Sequence, residues 1–492
     1  MSSMPKEIEG LLNSKEGKFL LVKGKAGVGK TMFCLELIKE FGGVYVSTIV
    51  TAEQLYKDSP GLEESIPKSF VIDATQYTAP SALKVRTDSD IDDSILREIL
   101  YETSAAESPT KGPIPPLLKE IDSKCEVAQL PFCVIIDSWD SIFSLAAFPK
   151  DETCKDFWVK EEVQKLVLNH FRKRHVNLVM VAEGDRETRM DYLVDGIVAL
   201  TMEKEGGRML RLLKIKKLRG AEITFPEYVF TLNGGSFKAH RFQERPEDSE
   251  LKTWKKVTEH KGFFSTGCPD LDRLLGKGIP KGSTIFLELG HAVPNYIWET
   301  LIASMTSNFL LNERSVMVVP MGGMDIHNYE TEMYAYVGKD RFDNNVRIVE
   351  RADTMGATEK PYIIPIRFED ITHDLREWQR VYHRLREKTG NPTLEILGVD
   401  TQEARYGEDI YKEIISSSAE QAKRDGNVIL RMVRPGLDSI TQRTRNISDI
   451  HLRLITRNGI TIIYGEKPVT NMFTIKVEVQ DGNRKLVLKP LV

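Results

Sequence analysis

The sequence predicts an α/β chain made of two similar halves, each a mostly parallel sheet with helices on both faces. Three observations carry this expectation. In each half, short apolar runs rich in β-branched residues alternate with helical patterns, which is the signature of strand–helix–strand units. In each half that alternation gives way, near the end, to consecutive strand-like runs. The halves also open on kindred stretches: "FLLVKGKAGVGKT" at 19–31 and "TIFLELGHAVPNYI" at 284–297, the second like the first with its chemistry removed.

The elements follow in order. "FLLVKG" (19–24) is short and continuously apolar, so it reads as a buried strand, and "KTMFCLELIKEFGG" as a helix closed by glycine. "GVYVST" (43–48), "SFVIDA" (69–74), "PFCVIID" (131–137) and "VNLVMVAE" (176–183) are further strands. In "EEVQKLVLNHFRKRH", Val163, Leu166, Val167 and Phe171 share one helical face. "GIVALTM", "MLRLLKIK" and "EYVFTL" then suggest hairpins at a sheet edge. The second half repeats the plan with "STIFLELG", "RSVMVVP", "VRIVE", "LEILGVD" and "NVILRMV", and ends on "IHLRLIT", "ITIIYG" and "FTIKVEV". "SAAESPTKGPIPP" (104–116) reads as an exposed loop. The charged 241–261 stretch reads as an interdomain linker. The expected division is a nucleotide-binding domain at 1–240, the linker at 241–261, and a degenerate second domain at 262–492.

Composition sets outer bounds. A chain of 492 residues exceeds what one core usually serves, and 41% hydrophobic with 28% charged residues is an ordinary globular balance. The net charge of −4 gives no overall attraction for nucleic acid or acidic lipid. Cys34, Cys125, Cys133, Cys154 and Cys268 show no metal-ligand spacing and suit a reducing compartment. No apolar run approaches the roughly 20 residues that span a bilayer, and the charged start lacks a signal-peptide core. The expected location is the cytoplasm, with no membrane contact.

Gly24-Lys25-Ala26-Gly27-Val28-Gly29-Lys30-Thr31 satisfies G-x-x-x-x-G-K-[ST] in every position, with a strand before it and a helix after it. Glycines let the backbone curl until several N–H groups face one centre, and the helix N-terminus adds positive partial charge there. Lys30 is expected to reach the β- and γ-phosphates of ATP, and Thr31 to hold Mg²⁺. In "FCVIIDSWDSI", Asp137 emerges at a strand's C-terminal end, where it can hold the same Mg²⁺ through water. Hydrolysis also needs a group that orients water, and Glu53, Asp140 and Glu183 are candidates. Each is equally at home as a surface or strand-end carboxylate. Thr188, Arg189 and Tyr192 are candidates to lie near the base, and nothing separates ATP from GTP.

The P-loop, "VIIDSWDSI", "YLVDGIVAL" and "LLKIKKLRGAE", in that order, resemble the RecA-superfamily ATPases of the KaiC-like group. "STGCPDLDRLLGKGIPKGS" (265–283) is similar to the segment preceding the P-loop in such domains. Within the group the chain looks most like the archaeal gas-vesicle regulator family GvpD. The carrying stretches are "PKEIEGLLNSKEGKFLLVKGKAGVGKT" and "VYVSTIVTAEQLYKDSPGLEES". The resemblance implies two RecA-like P-loop domains, the second degenerate, in a nucleotide-binding regulator that contacts a transcriptional activator. It also implies that Lys217 and Arg219 reach a neighbouring subunit's nucleotide in a homo-oligomer or ring. One departure stands out. KaiC-like domains carry acidic residues after the second strand, one serving as base, where this chain has Ser47-Thr48-Ile49-Val50, so fast hydrolysis by that route is not expected.

Aligning the halves on Gly290 puts Asn295, Tyr296 and Ile297 where Gly29, Lys30 and Thr31 stand. Without the lysine and the curl, this half is expected to be a pseudo-ATPase domain, with Asp400 retained to little purpose. Three function classes follow: a slow ATPase or ATP-gated switch read by a protein partner, a DNA-dependent recombination or repair ATPase, and a non-hydrolysing nucleotide-binding scaffold. The basic runs "FRKRH" and "RLLKIKKLRG" favour the second. The net charge and the absence of a recognisable DNA-reading module weigh against it.

Overall fold

The computed structural model describes residues 3–58, 62–76, 114–126, 131–141, 164–165, 167–242, 245–246, 250–352 and 360–492. Two compact units emerge: Met1–Arg241 with Val492, and Phe242–Leu491.

The first unit holds β1 (Phe19–Gly24), β2 (Gly43–Ser47), β3 (Val71–Asp73), β4 (Cys133–Asp137), β5 (Asn177–Glu183), β6 (Gly196–Glu205), β7 (Arg208–Leu218), β8 (Glu227–Thr231) and β9 (Lys238–His240). They form one sheet in the order β3-β2-β4-β5-β1-β6-β7-β8-β9. Strands β1 to β6 run parallel, and β7 to β9 extend the sheet by antiparallel hairpins. All six residues of β1 are buried, as a central parallel strand requires. On one face the helix Lys30–Phe41 packs Phe33, Leu37 and Ile38 against Leu20, Val22 and Val179. On the other, Leu117 and Ile121 of the helix Ile114–Cys125, with Val167 and Phe171, cover Leu21, Val134, Ile136 and Met180. Val163, Leu166 and most of the proline-rich 104–116 stretch lie outside the described residues.

The second unit repeats this wiring. After a small β10 (Phe263–Phe264) and β11 (Ile279–Pro280) pair come β12 (Thr284–Leu289), β13 (Ser315–Val319), β14 (Val346–Arg351), β15 (Ile363–Ile366), β16 (Thr393–Gly398), β17 (Val428–Val433), β18 (Ile450–Arg457), β19 (Ile460–Lys467), β20 (Met472–Gln480) and β21 (Asn483–Leu491). Their order is β15-β14-β13-β16-β17-β12-β18-β19-β20-β21, the first unit's order with one extra edge strand. That strand, β15, was not legible in the sequence. Pro365 interrupts it, and proline is tolerated there because β15 has a neighbour on one side only.

The repeat holds at the level of single hydrogen bonds. The Phe19 N–H donates to Asp195 Oδ2 at 3.0 Å, and the Thr284 N–H to Asp449 Oδ2 at 2.9 Å. In each case the aspartate's own N–H returns a bond to the strand's first carbonyl. Phe19 and Thr284 are therefore equivalent.

Residues 250–261, which charge alone marks as a linker, instead pack on the second unit. Trp254 is buried against the Tyr336 ring, with centroids 5.2 Å apart, and its N–H donates to the Tyr336 carbonyl. The Val257 N–H donates to Asn308 Oδ1. Flanking lysines keep their charges in water and mask the anchor.

Replacing Trp254 with alanine should cost the second unit about 3–5 kcal/mol, the range for large aromatic deletions. Exposed Lys255→Ala should cost less than about 0.5 kcal/mol. Urea unfolding of both variants checks this; equal midpoints would show that the segment does not anchor.

Candidate functional site

The curl between β1 and its helix is built by glycine. Gly27 and Gly29 have φ of 77° and 107°, conformations that a side chain strains. The helix then begins at Lys30, six residues after Gly24, and its free N–H groups open toward the curl. Lys30 is 7% exposed. Its ammonium donates to the carbonyls of Gly24 (2.9 Å) and Lys25 (3.0 Å) and pairs with Glu183 Oε1 at 2.9 Å. Of the candidate water-orienting carboxylates, Glu183 is thus the one in contact with the phosphate-loop lysine. It arrives there because β5 pairs with β1 and Glu183 lies opposite Gly24.

One residue further, the Thr31 hydroxyl donates to Asp137 Oδ2 at 2.8 Å. The same oxygen accepts the Tyr45 hydroxyl at 2.5 Å. Tyr45 is buried in β2, and burial followed by the Asp137 charge raises its phenol well above the ordinary value, so it remains a donor. The Asp137–Ser138 peptide is cis. Past the ends of β2 and β4, Thr48 fixes this corner: its N–H donates to the Asp137 carbonyl, and its hydroxyl accepts the Ser138 N–H at 2.8 Å. The next residues, Ile49 and Val50, are exposed, where a catalytic acid would stand in the resembling group.

Other candidates fall elsewhere. Glu53 lies exposed in the first turn of the helix Ala52–Asp58, and Asp140 lies exposed one turn beyond Asp137. Neither makes a hydrogen bond or ion pair among the described residues. Lys217 is opposite Ile197, which pairs with Leu21 near the start of β1, so Lys217 and Arg219 sit at the sheet end away from this chain's own curl. There they bond the carbonyls of Asp191 and Tyr192. Desolvation and the neighbouring Arg219 hold Lys217 below the ordinary lysine value.

Sequence reasoning missed three contributors. Arg211, six residues before Lys217 on β7, lies at the end of the sheet that matters and donates to the carbonyls of Gly27 (3.2 Å) and Val28 (3.0 Å). Tyr45 is hidden because nothing local tells that β2 is beside β4. Lys23, buried in β1, pairs with Asp191 at 2.6 Å and also donates to the Arg186 carbonyl. Thr188 caps the same Asp191.

In the second unit, the equivalence of Phe19 and Thr284 shifts the alignment by one residue from that based on Gly290. Leu289 takes the place of Gly24, Asn295 that of Lys30, and Tyr296 that of Thr31. The strand's first hydrogen bond, not the glycine, sets the frame. Asn295 begins the helix Asn295–Leu310 and accepts from Arg434 at 2.9 Å, so a neutral amide and an arginine replace the Lys30–Glu183 pair. Asp400 accepts from the Gly322 N–H and serves as a loop tie.

A glycine curl, a lysine buried within it, and a Thr–Asp pair at the strand ends define a P-loop protein of the RecA-like α/β fold. Sequence profiles agree in detail. The family described as "GvpD gas vesicle protein, P-loop domain" matches residues 8–216, and "GvpD basic region 2" matches residues 253–492. Protein GvpD2 of Halobacterium salinarum is 26% identical, covering 100% of this chain and 97% of that protein. Protein GvpD1 of the same organism is 24% identical over 99% and 96%. The chain belongs to the GvpD family. No described helix is long and apolar enough to cross a membrane.

Calorimetry with Mg-ATP should give one site per chain, and two sites would contradict the degenerate reading of the second unit. Tyr45→Phe removes a bond to a charged acceptor, worth about 1.5–3 kcal/mol. It should weaken Mg-dependent binding by roughly tenfold or more, while binding measured in EDTA changes little.

Proposed function

We propose that the chain is a cytoplasmic ATP-binding regulatory protein: a slow Mg-dependent ATPase or ATP-gated switch read by a protein partner. The supporting observation is the convergence of Lys30, Thr31 and Asp137 on one glycine curl. The donor set suits a magnesium nucleotide. Lys30, now held by two carbonyls and Glu183, would turn to the β- and γ-phosphates. Thr31 would ligate Mg²⁺ directly and Asp137 through water, with Tyr45 holding the carboxylate in place. Bound Mg²⁺ supplies charge neutralisation on the phosphates. The backbone N–H groups of Gly27, Val28, Gly29 and Lys30 complete the cradle, with Lys25 and Ala26 at its rim.

Glu183 is assigned the water-orienting role, since it reaches the mouth of the curl, and Glu53 and Asp140 are the alternatives. Lys217 and Arg219 lie too far along the sheet to serve this chain's own curl. Their catalytic role requires a second copy in a ring or other homo-oligomer, where they would act in trans as arginine fingers do. The family resemblance supports a transcriptional activator as the partner and gas-vesicle regulation as the output. The exposed Ile49 and Val50, in place of an acid, support slow turnover.

The decisive test is ATP turnover and nucleotide titration of wild type, Lys30→Ala, Glu183→Gln and Glu53→Ala. Lys30→Ala should abolish binding. Glu183→Gln should bind normally or more tightly but turn over about a hundredfold more slowly, the typical contribution of one general base. Glu53→Ala should match wild type. Undiminished binding by Lys30→Ala would sink the nucleotide reading, and undiminished turnover by Glu183→Gln would sink its assignment. Strong stimulation by DNA would favour a recombination-type motor instead.

A further inference from the structure

The face of the second unit's sheet turned away from the helix Asn295–Leu310 carries a cavity of about 150 Å³. It lies between β13–β17 and the helices Ile371–Thr389 and Glu408–Asp425. A cavity of that size accepts a benzene-sized body. Its walls are largely apolar and aromatic, with Leu397, Trp378, Tyr406 and Ile415 among them.

At its floor is a buried charge whose donors the fold fills only in part. Arg431, on β17, is 1% exposed. Its Nη2 donates to the Ile415 carbonyl (3.2 Å) and Ser418 Oγ (2.7 Å). Its Nη1 and the Tyr411 hydroxyl, its polar neighbour on the cavity wall, are both buried without a hydrogen bond of ordinary length. Gln402 Oε1, also on the cavity wall, is buried without a partner. Glu395 faces the same space from β16; desolvation raises its carboxyl to about 7, and the Arg431 charge opposes that rise. A buried guanidinium left unpaired is strongly unfavourable.

The fold itself has no need of it. On the equivalent face of the first unit, Val134, Ile136, Leu178 and Met180 pack in an apolar cluster, with Met180 at the position of Arg431. A buried guanidinium with one donor unfilled, at the end of an aromatic-walled cavity, is an arrangement that recognises a carboxylate on a small apolar body. Charge-assisted bonds fix the carboxylate, and the walls bury the remainder.

We propose that this cavity is a binding site for a small organic carboxylate of about benzoate size, its carboxylate on Arg431 and its apolar body against Trp378, Tyr406 and Leu397. The site is separate from the phosphate loop and gives the degenerate unit a ligand of its own.

Benzoate is the probe, with benzamide and benzylamine as its neutral and cationic counterparts, followed by calorimetry and by melting temperature in the full chain. Benzoate should bind one per chain and raise the melting temperature. Benzamide should bind at least tenfold more weakly, and benzylamine not at all. Arg431→Met, which keeps the side-chain bulk, should lose benzoate binding at least tenfold. Leu397→Phe, which fills the cavity and keeps the arginine, should lose it as well. Both variants should keep the wild-type far-ultraviolet circular dichroism spectrum and a cooperative urea transition, which certifies folding of the second unit independently of the ligand. Absence of benzoate binding up to 10 mM (roughly −2.7 kcal/mol) overturns the proposal. So does equal binding by wild type and Arg431→Met, or equal binding of benzoate and benzamide.

Discussion

One carboxylate fixes the start of each central strand, and the chemistry at its far end depends on it. Asp195 accepts the Phe19 N–H and returns its own N–H to the Phe19 carbonyl, locking β1 against β6 in a single register. A slip of one residue would exchange the two faces of β1, turning Leu20 and Val22 away from the helix that covers them and Lys23 away from Asp191. It would also move Gly24 along the sheet and carry the whole curl off the ends of β4 and β5. Lys30 reaches Glu183, and Thr31 reaches Asp137, because three adjacent parallel strands end at the same level. Asp449 performs the same task for β12, which is why the second unit keeps the architecture after losing the phosphate chemistry.

The parts of the site that sequence revealed are those whose roles are local. The glycines of the curl, Lys30 and Thr31 lie within one turn of chain, so their spacing alone predicts the curl that the structure forms. Asp137 was legible because a strand-end aspartate after four apolar residues has few other meanings beside such a loop. Tyr45, Arg211 and Glu183 were not assigned, or not singled out, because their roles depend on strand order and direction. Tyr45 matters only because β2 is next to β4. Arg211 and Lys217 are both basic residues of β7, yet the antiparallel turn after β6 sends one toward the curl and the other to the opposite end. No periodicity distinguishes them. The fold class, by contrast, was legible throughout, since alternating buried strands and amphipathic helices permit few other packings. It failed at the sheet edges, where β9, β15 and β21 were not read, and where lysines surrounded Trp254.

The second unit shows that a lost site is not simply an empty one. Where β1 carries Lys23, β12 carries Glu288, which collects His451 at 2.9 Å and Arg453 at 3.1 Å with Arg445 beside them. Burial opposes its charge, but these partners hold the carboxyl below the ordinary value. Where the first unit sets Lys30 against Glu183, the second sets Asn295 against Arg434. Each substitution pairs a polar group with a neighbour on or just past an adjacent strand, although His451 Nδ1 and Arg453 Nε keep no partner. Arg431 is a different case. It stands on the sheet face that the first unit packs with hydrocarbon, and its second amino group is unsatisfied. Drift under selection for stability alone removes such a group, because an apolar side chain of similar volume is at least as stable there. The divergence of the second unit is therefore of two kinds: ion pairs and amide contacts where the first unit has its phosphate loop, and a buried arginine on the opposite face with a donor left unfilled.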